Sequence, residues 1–240
     1  MDLDKLEHKE IFEYVFEGPK FYDKEMLDLL NAHIKDSENI LDIGSGPFPF
    51  YWFIGVIDRI DRITFSDMNQ QYLSVITKEF DLLSPERLEE QYGPLINHLN
   101  KKRYFDNNLD KTTKNFLNKL SAIKQLDVSK SVPGKSKFSC ITSFETLNVL
   151  KNEPELGIAL KNLRSMLDEK GYILGYFTVR GIIPENFDEL EKSNLDSSLH
   201  LDINQFRNIL VENKFKIEFL YSLEVNNNKK YPSCVYFKVR

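Results

Sequence analysis

The 240-residue chain is poor in the features that mark most specialised classes. It has two cysteines, Cys140 and Cys234, far apart in sequence and without metal-ligand spacing. They read as reduced, buried thiols of a cytosolic protein. His8, His33, His98 and His200 form no pair at ligand spacing, so no metal is expected. No apolar run approaches the ~18 residues that span a bilayer. The start, Met1-Asp2-Leu3-Asp4-Lys5, is charged and has no apolar signal-peptide core. These absences predict a cytoplasmic protein without a membrane partner. The formal charge is −5, and basic residues alternate with acids instead of forming blocks. That argues against a nucleic-acid partner, which needs a basic face, and makes methylation of RNA or of a protein the less favoured reading. Repeats and low-complexity tracts are also missing.

What is present is an alternation of apolar runs and helical stripes. Strands are predicted at 39–43, 60–66, 122–127, 137–143, 172–179, 215–225 and 231–239, the last two paired around Asn226-Asn227-Asn228. Helices are predicted at 48–57, 69–80, 154–168 and 202–213, and the helix ending at 168 is closed by Lys170-Gly171. Residues 81–120 read as a mostly helical insertion broken at Tyr92-Gly93-Pro94, and 181–200 as a loop. The pattern predicts an α/β, Rossmann-like seven-stranded sheet, mostly parallel, with helices on both faces and a C-terminal antiparallel hairpin. Residues 1–36 form an N-terminal helical lid in this reading, and 1–240 make a single domain.

The most informative stretch is Asn39-Ile40-Leu41-Asp42-Ile43-Gly44-Ser45-Gly46-Pro47. A buried strand ends in an acid and gives way to two glycines, whose missing Cβ atoms let a ligand lie against the backbone. The helix that follows would offer free N–H groups to an anion. Asp67 ends the second strand, 21 residues after Gly46, where nucleotide-binding sheets hold a ribose diol. A plain N-cap for the next helix is the competing reading of Asp67. The third glycine of a dinucleotide loop is replaced by Pro49, and no Gly-Lys-Ser/Thr occurs, so the loop suits a ligand without a diphosphate. Asp127, at the end of strand three, can accept from an adenine amino group, with Val128 flanking the ring. Together these acids and glycines describe a site for S-adenosylmethionine, with S-adenosylhomocysteine as product.

At these residues the sequence resembles class I SAM-dependent methyltransferases. More narrowly, it resembles the small-molecule N-methyltransferases that act on nicotinamide, phenylethanolamine and thioether-amine acceptors. Asp42-Ile43-Gly44-Ser45-Gly46-Pro47 has the family's form of the turn, proline included. Phe80-Asp81…Ser84-Pro85, Asp127-Val128 and Ser197-Ser198-Leu199 resemble further family signatures, and Tyr14 resembles a lid tyrosine. The resemblance implies that Tyr14, Gly44, Ser45, Asp67, Asp127 and Val128 contact the cofactor. Asp42, Gly46, Met68 and Phe144 complete that set. The chain departs from the family at Phe48 and Phe50, where hydroxyls meet the methionine carboxylate. It departs again after strand five, where Phe177 or a neighbour replaces an acid.

The expected activity is methyl transfer to the nitrogen of a small amine or heteroaromatic acceptor, by a monomer or weak homodimer. Tyr14 and Glu145 are the candidate catalytic residues, Glu145 as a base for an aliphatic amine. Glu145 can equally cap the segment that follows it. Tyr22, Tyr176, Arg180 and Ser198 are the candidate substrate contacts. Arg180 would pair with an acceptor carboxylate. Tyr14, Tyr22, Phe144, Tyr176 and Phe177 would supply an aromatic wall for cationic groups. Two alternatives stay open. One is attack on the aminocarboxypropyl arm, by cyclisation or transfer, which releases methylthioadenosine. The other is a SAM-binding protein without catalysis.

Overall fold

The computed structural model describes residues 21–130, 137–179, 199, 201–224 and 233–240. The expected contacts Tyr14, Arg180 and Ser198 lie outside these residues, as does the Tyr22 side chain. Seven strands, β1 (Glu38–Ile43), β2 (Ile60–Asp67), β3 (Leu120–Gln125), β4 (Phe138–Phe144), β5 (Leu167–Val179), β6 (Ile217–Glu224) and β7 (Ser233–Val239), run in the order β3-β2-β1-β4-β5-β7-β6, mostly parallel, with an antiparallel pair at the C-terminal edge. Two compact units divide the chain, Met1–Leu126 and Asp127–Arg240.

The N-terminal unit holds α1 (Phe21–His33), β1 (Glu38–Ile43), α2 (Phe50–Phe53), β2 (Ile60–Asp67), α3 (Gln70–Asp81), α4 (Pro85–Lys101), α5 (Leu109–Lys119) and β3 (Leu120–Gln125). β1 and β3 flank β2, both parallel to it, so the three strands present their C-terminal ends at one edge. β1 and the second half of β2 are buried almost without interruption, the pattern of a parallel strand covered on both faces. The aromatic run after the glycine turn is core. Phe50 meets Phe65 at 5.6 Å and Phe116 at 5.1 Å, both edge-on. Phe48 and Phe50 are thus buried in the apolar interior.

Side-chain caps fix the helix starts. Asn69 Oδ1 accepts from Gln71 N–H, Ser84 Oγ from Arg87 N–H, and Asn108 Oδ1 from Lys111 N–H. Two expectations fail here. α2 covers four residues instead of the predicted 48–57, because Val56, Ile57 and Arg59 close tight turns that swing the chain into β2. α4 also runs through Pro94 where a break was expected. Leu88, Tyr92, Leu95, Ile96 and Leu99 form a buried face that outweighs one missing N–H.

The C-terminal unit holds β4 (Phe138–Phe144), a 3₁₀ turn (Leu147–Val149), α6 (Glu153–Met166), β5 (Leu167–Val179), α7 (Ile203–Glu212), β6 (Ile217–Glu224) and β7 (Ser233–Val239). β5 starts earlier than predicted. α6 stops at Met166, and the Lys170-Gly171 turn becomes an irregularity inside the strand, between the pairings Phe138–Leu167 and Cys140–Tyr172. A Cβ on Gly171 would meet the Phe138 carbonyl oxygen at 2.9 Å, so glycine lets the strands close up again. Adjacent strand residues point to opposite faces. Phe177 and Phe237 pack with Phe206 of α7 on one face. Phe144, Tyr176, Tyr236 and Tyr221 form a row across four strands on the other. Cys140 and Cys234 are both buried.

Candidate functional site

In the N-terminal unit, the ends of β1 and β2 are tied together by serines. Ser45 N–H donates to the Ser66 carbonyl at 2.9 Å, and Ser66 N–H donates to Ser45 Oγ at 3.0 Å. Both hydroxyls donate to the Asp42 carbonyl, at 3.1 Å from Ser45 and 2.8 Å from Ser66. Ser45, an expected cofactor contact, therefore uses both its hydroxyl and its backbone N–H inside the protein. Asp42 is fully buried beside it and is a foundation for the turn. Gly44 and Gly46 sit at φ 60° and 62°, in the left-handed region that a Cβ disfavours. A Cβ on Gly46 would meet no atom of the described residues within 4 Å. The glycine is required by its conformation, and among the described residues the space over it is open.

Asp67 closes this cradle. Its Oδ2 accepts from Gly46 N–H at 3.0 Å and its Oδ1 from Asn69 N–H at 2.8 Å. The cap of α3 is Asn69, so the competing reading of Asp67 as that cap is not what the geometry provides. Each Asp67 oxygen holds one backbone donor and keeps lone-pair capacity for further donors. Burial raises its pKa above the ordinary aspartate value, and the N–H groups of Asn69, Gly46 and Met68 pull against that rise. Met68, next along, exposes 63% of its surface although apolar, and its carbonyl is fixed by Gln125 Nε2 at 3.0 Å. The expected helix N-terminus contributes little, since α2 is only four residues long and opens on Pro49, which has no N–H.

In the C-terminal unit the acids are held by backbone and side-chain donors together. Asp127 Oδ1 accepts from Ser129 N–H at 3.0 Å and Ser129 Oγ at 2.6 Å, and Oδ2 pairs with Lys130 at 2.8 Å. These partners, Lys130 first, lower its pKa. Val128 is buried and its carbonyl accepts from Asn162 Nδ2 at 2.8 Å. Glu145, just past β4, adopts φ 54°, a strained value for a residue with a Cβ. Its N–H donates to the Tyr176 carbonyl at 3.0 Å. Its Oε2 accepts from Thr178 N–H and Oγ1, each at 3.0 Å, and from Asn148 Nδ2 at 2.9 Å. Phe144 and Tyr176 are buried with ring centroids 6.2 Å apart.

Asp42, Gly44, Ser45, Gly46, Asp67 and Met68 therefore gather at one edge of the first unit. Phe144, Glu145 and Tyr176 gather in the second. Sequence reading missed Ser66, Asn69, Asn148 and Thr178. Thr178, a hydroxyl near the end of an apolar strand, carried the clearest signal. Among the described residues no group of three His, Cys, Asp or Glu side chains could hold a metal ion.

No protein-family model matches this chain, and no curated protein matches it by sequence. Solved structures do. The N-methyltransferase NodS from Bradyrhizobium japonicum, in complex with S-adenosyl-L-homocysteine, is 13% identical with a TM-score of 0.60, over 95% of this chain and 90% of that one. The chain shares a methyltransferase fold. A SAM-dependent methyltransferase from Methanosarcina mazei gives a TM-score of 0.59 at 13% identity, over 88% of this chain and 96% of that one. The glycopeptide N-methyltransferase MtfA gives 0.57 at 12% identity, over 98% of both chains.

Proposed function

We propose that this protein binds S-adenosylmethionine and transfers its methyl group to a nitrogen of a small amine or heteroaromatic acceptor. The observation that carries the reading is the open space over Gly46, bounded by Asp67. A ligand there meets backbone at a position where no side chain of the described residues intrudes. Asp67 would accept from a ribose diol, with Met68 beside it. The fold shared with NodS and MtfA supports the cofactor. The sequence resemblance to small-molecule N-methyltransferases supports a nitrogen acceptor.

S-adenosylmethionine supplies, when bound, an electrophilic methyl carbon on a sulfonium that leaves as a neutral thioether. The residues present need only bind, orient and exclude water. Such positioning is worth about 7–11 kcal/mol in favourable cases. Gly44 and Gly46 admit the ligand, and Asp67 fixes its ribose. Asp127, in the second unit, would accept from the adenine amino group at some cost to its present partners. Glu145 would bind the acceptor nitrogen or take its proton. Its Oε2 is already oriented by three donors, which serves positioning better than proton shuttling. Tyr14, Tyr22, Arg180 and Ser198 belong to the same proposal as lid and acceptor contacts.

The test is incubation with S-adenosylmethionine and a panel of small amines and pyridines, with both possible nucleosides followed by mass. S-adenosylhomocysteine together with a methylated acceptor is the expected result. Methylthioadenosine would show that the aminocarboxypropyl arm is attacked instead, and the methyl-transfer reading would fall.

A further inference from the structure

The N-terminal unit has a groove of about 390 Å³ that the methyl-transfer reading does not use. It lies between the end of α1, the turn before β2 and the loop after α4, lined by Asn31, Gly55, Arg59, Arg103, Tyr104 and Phe105, among others. Arg59 immediately precedes β2, and Asp67 ends that strand. Seven steps of about 3.3 Å put the two ends roughly 23 Å apart. No single small ligand spans both.

The charges here are sorted unequally. Asp58 and Asp106, the two acids of the groove, both pair with Lys111, and Asn115 Nδ2 also donates to Asp58 at 2.6 Å. Nearby Asp28 is taken by Lys102 at 2.9 Å. Neither Arg59 nor Arg103 pairs with a carboxylate among the described residues. Arg59 instead grips neutral oxygens of Asn31. Its Nη1 donates to the Asn31 carbonyl at 2.8 Å and its Nη2 to Oδ1 at 3.1 Å. Asn31 Nδ2 donates to the Leu27 carbonyl at 3.0 Å, which fixes the amide so that Oδ1 faces the guanidinium. The Arg59 fork is thereby held in place with donors to spare, and its contact with Asn31 offsets the negative carboxyl end of α1.

Arg103 is held as well. It occupies φ 61° just past α4, a position glycine usually fills. Arg103 N–H donates to the Asn100 carbonyl and Tyr104 N–H to the Leu99 carbonyl, each at 3.0 Å. The Leu99 and Asn100 carbonyls near the end of α4 are thus satisfied by backbone donors. Tyr104 and Phe105, both half-buried, follow directly and supply ring surface. A Cβ on Gly55 would meet Asn31 Nδ2 and Leu99 Cδ2 at 3.1 Å each, so glycine allows α1 and α4 this close to the turn.

We propose that this groove binds a small ring-bearing organic anion, a carboxylate or a phosphate, through Arg59 and Arg103 with its ring against Tyr104 and Phe105. Guanidinium forks match both anions, and the volume suits a molecule of a ring plus one such group. The site is independent of the methyl-transfer reading and stands or falls without it.

The test titrates benzoate and phenyl phosphate into the full chain, followed by calorimetry and by amide NMR shifts of residues 54–59 and 103–106. One of the two should bind with a Kd near or below about 1 mM and weaken with added salt. Whichever binds more tightly identifies the anion. Arg103→Ala, a change at an exposed side chain, should weaken it about tenfold or more, while Asp67→Ala leaves it unchanged. Arg59→Gln should weaken it too, with circular dichroism confirming the fold. No binding of either probe at about 10 mM would overturn the proposal, as would binding indifferent to Arg103→Ala.

Discussion

The two units solve the problem of placing an acid at a strand end in different ways. In the N-terminal unit Asp67 is buried and held by the backbone N–H groups of Gly46 and Asn69. In the C-terminal unit side-chain donors are added to backbone ones: Asp127 accepts from Ser129 N–H and Oγ and pairs with Lys130, and Glu145 accepts from Thr178 N–H and Oγ1 and from Asn148 Nδ2. Backbone donors cannot swing away, so the first arrangement is rigid and independent of side-chain identity. Side-chain donors can be exchanged for a ligand's, so the second arrangement can respond to one. The contrast appears in the titrations as well. Burial raises Asp67, whereas its Lys130 and Ser129 partners lower Asp127.

The sharpest way to break this comparison is Gly46→Val. The new side chain fills the open space and suffers φ 62°. Affinity for S-adenosylhomocysteine should fall by about a hundredfold or more. Left-handed strain of about 1–2 kcal/mol should lower Tm by roughly 2–8 °C in calorimetry. Tight binding by this variant would place the ligand elsewhere.

Asp67→Ala comes next. Losing charged hydrogen bonds to the diol should cost about 1.5–3 kcal/mol of cofactor affinity by titration calorimetry. Acidification sharpens the same point. Asp67 has a raised folded pKa, so the folded chain pays for its charge above that value and is relieved as pH falls through it. Asp127 has a lowered one, so its stabilisation is complete above the ordinary aspartate value and fades only as pH falls through the lowered value. Cofactor affinity should therefore decline on acidification before the fold does, beginning above the ordinary value of 3.8. Asp67→Asn should flatten that decline. Affinity and circular dichroism lost together would contradict the difference between the two acids.

Glu145 separates strain from bonding. Glu145→Ala leaves the donors of Thr178 and Asn148 without their acceptor and keeps the left-handed backbone, a loss of about 1–3 kcal/mol in urea unfolding. Glu145→Gly loses the same acceptor yet relieves the backbone, and should be milder by about 1 kcal/mol. The smallest effect belongs to Asp127→Asn. Lys130 is largely exposed, so stability should change by less than about 1 kcal/mol, and less still in salt.

The sequence made the first unit more legible than the second, for a physical reason. A glycine turn followed by an acid is a backbone demand, and backbone demands restrict residue type. Gly44, Gly46 and Asp67 could be read directly. The inward turn of the Ser45 hydroxyl could not, because it depends on Ser66 across a strand pairing. The aromatic run from Phe48 to Phe53 has an apolar pattern that a longer helix would also show, and only tertiary packing stops it at Phe53. Pro94 misled in the other direction, since one buried helical face outweighs a missing donor. In the second unit the left-handed backbone of Glu145 has no sequence signature. The resemblance to N-methyltransferases was read from short signatures, and what the solved structures share with this chain is the fold.

The chain has a single tryptophan, Trp52, half-buried in α2 and edge-on to Tyr51 at 4.9 Å. It stands six residues beyond Gly46, so an unlabelled emission reporter is built in next to the glycine turn. Titrating S-adenosylhomocysteine while following this emission would test occupancy of that turn with no dye, tag or coupled assay.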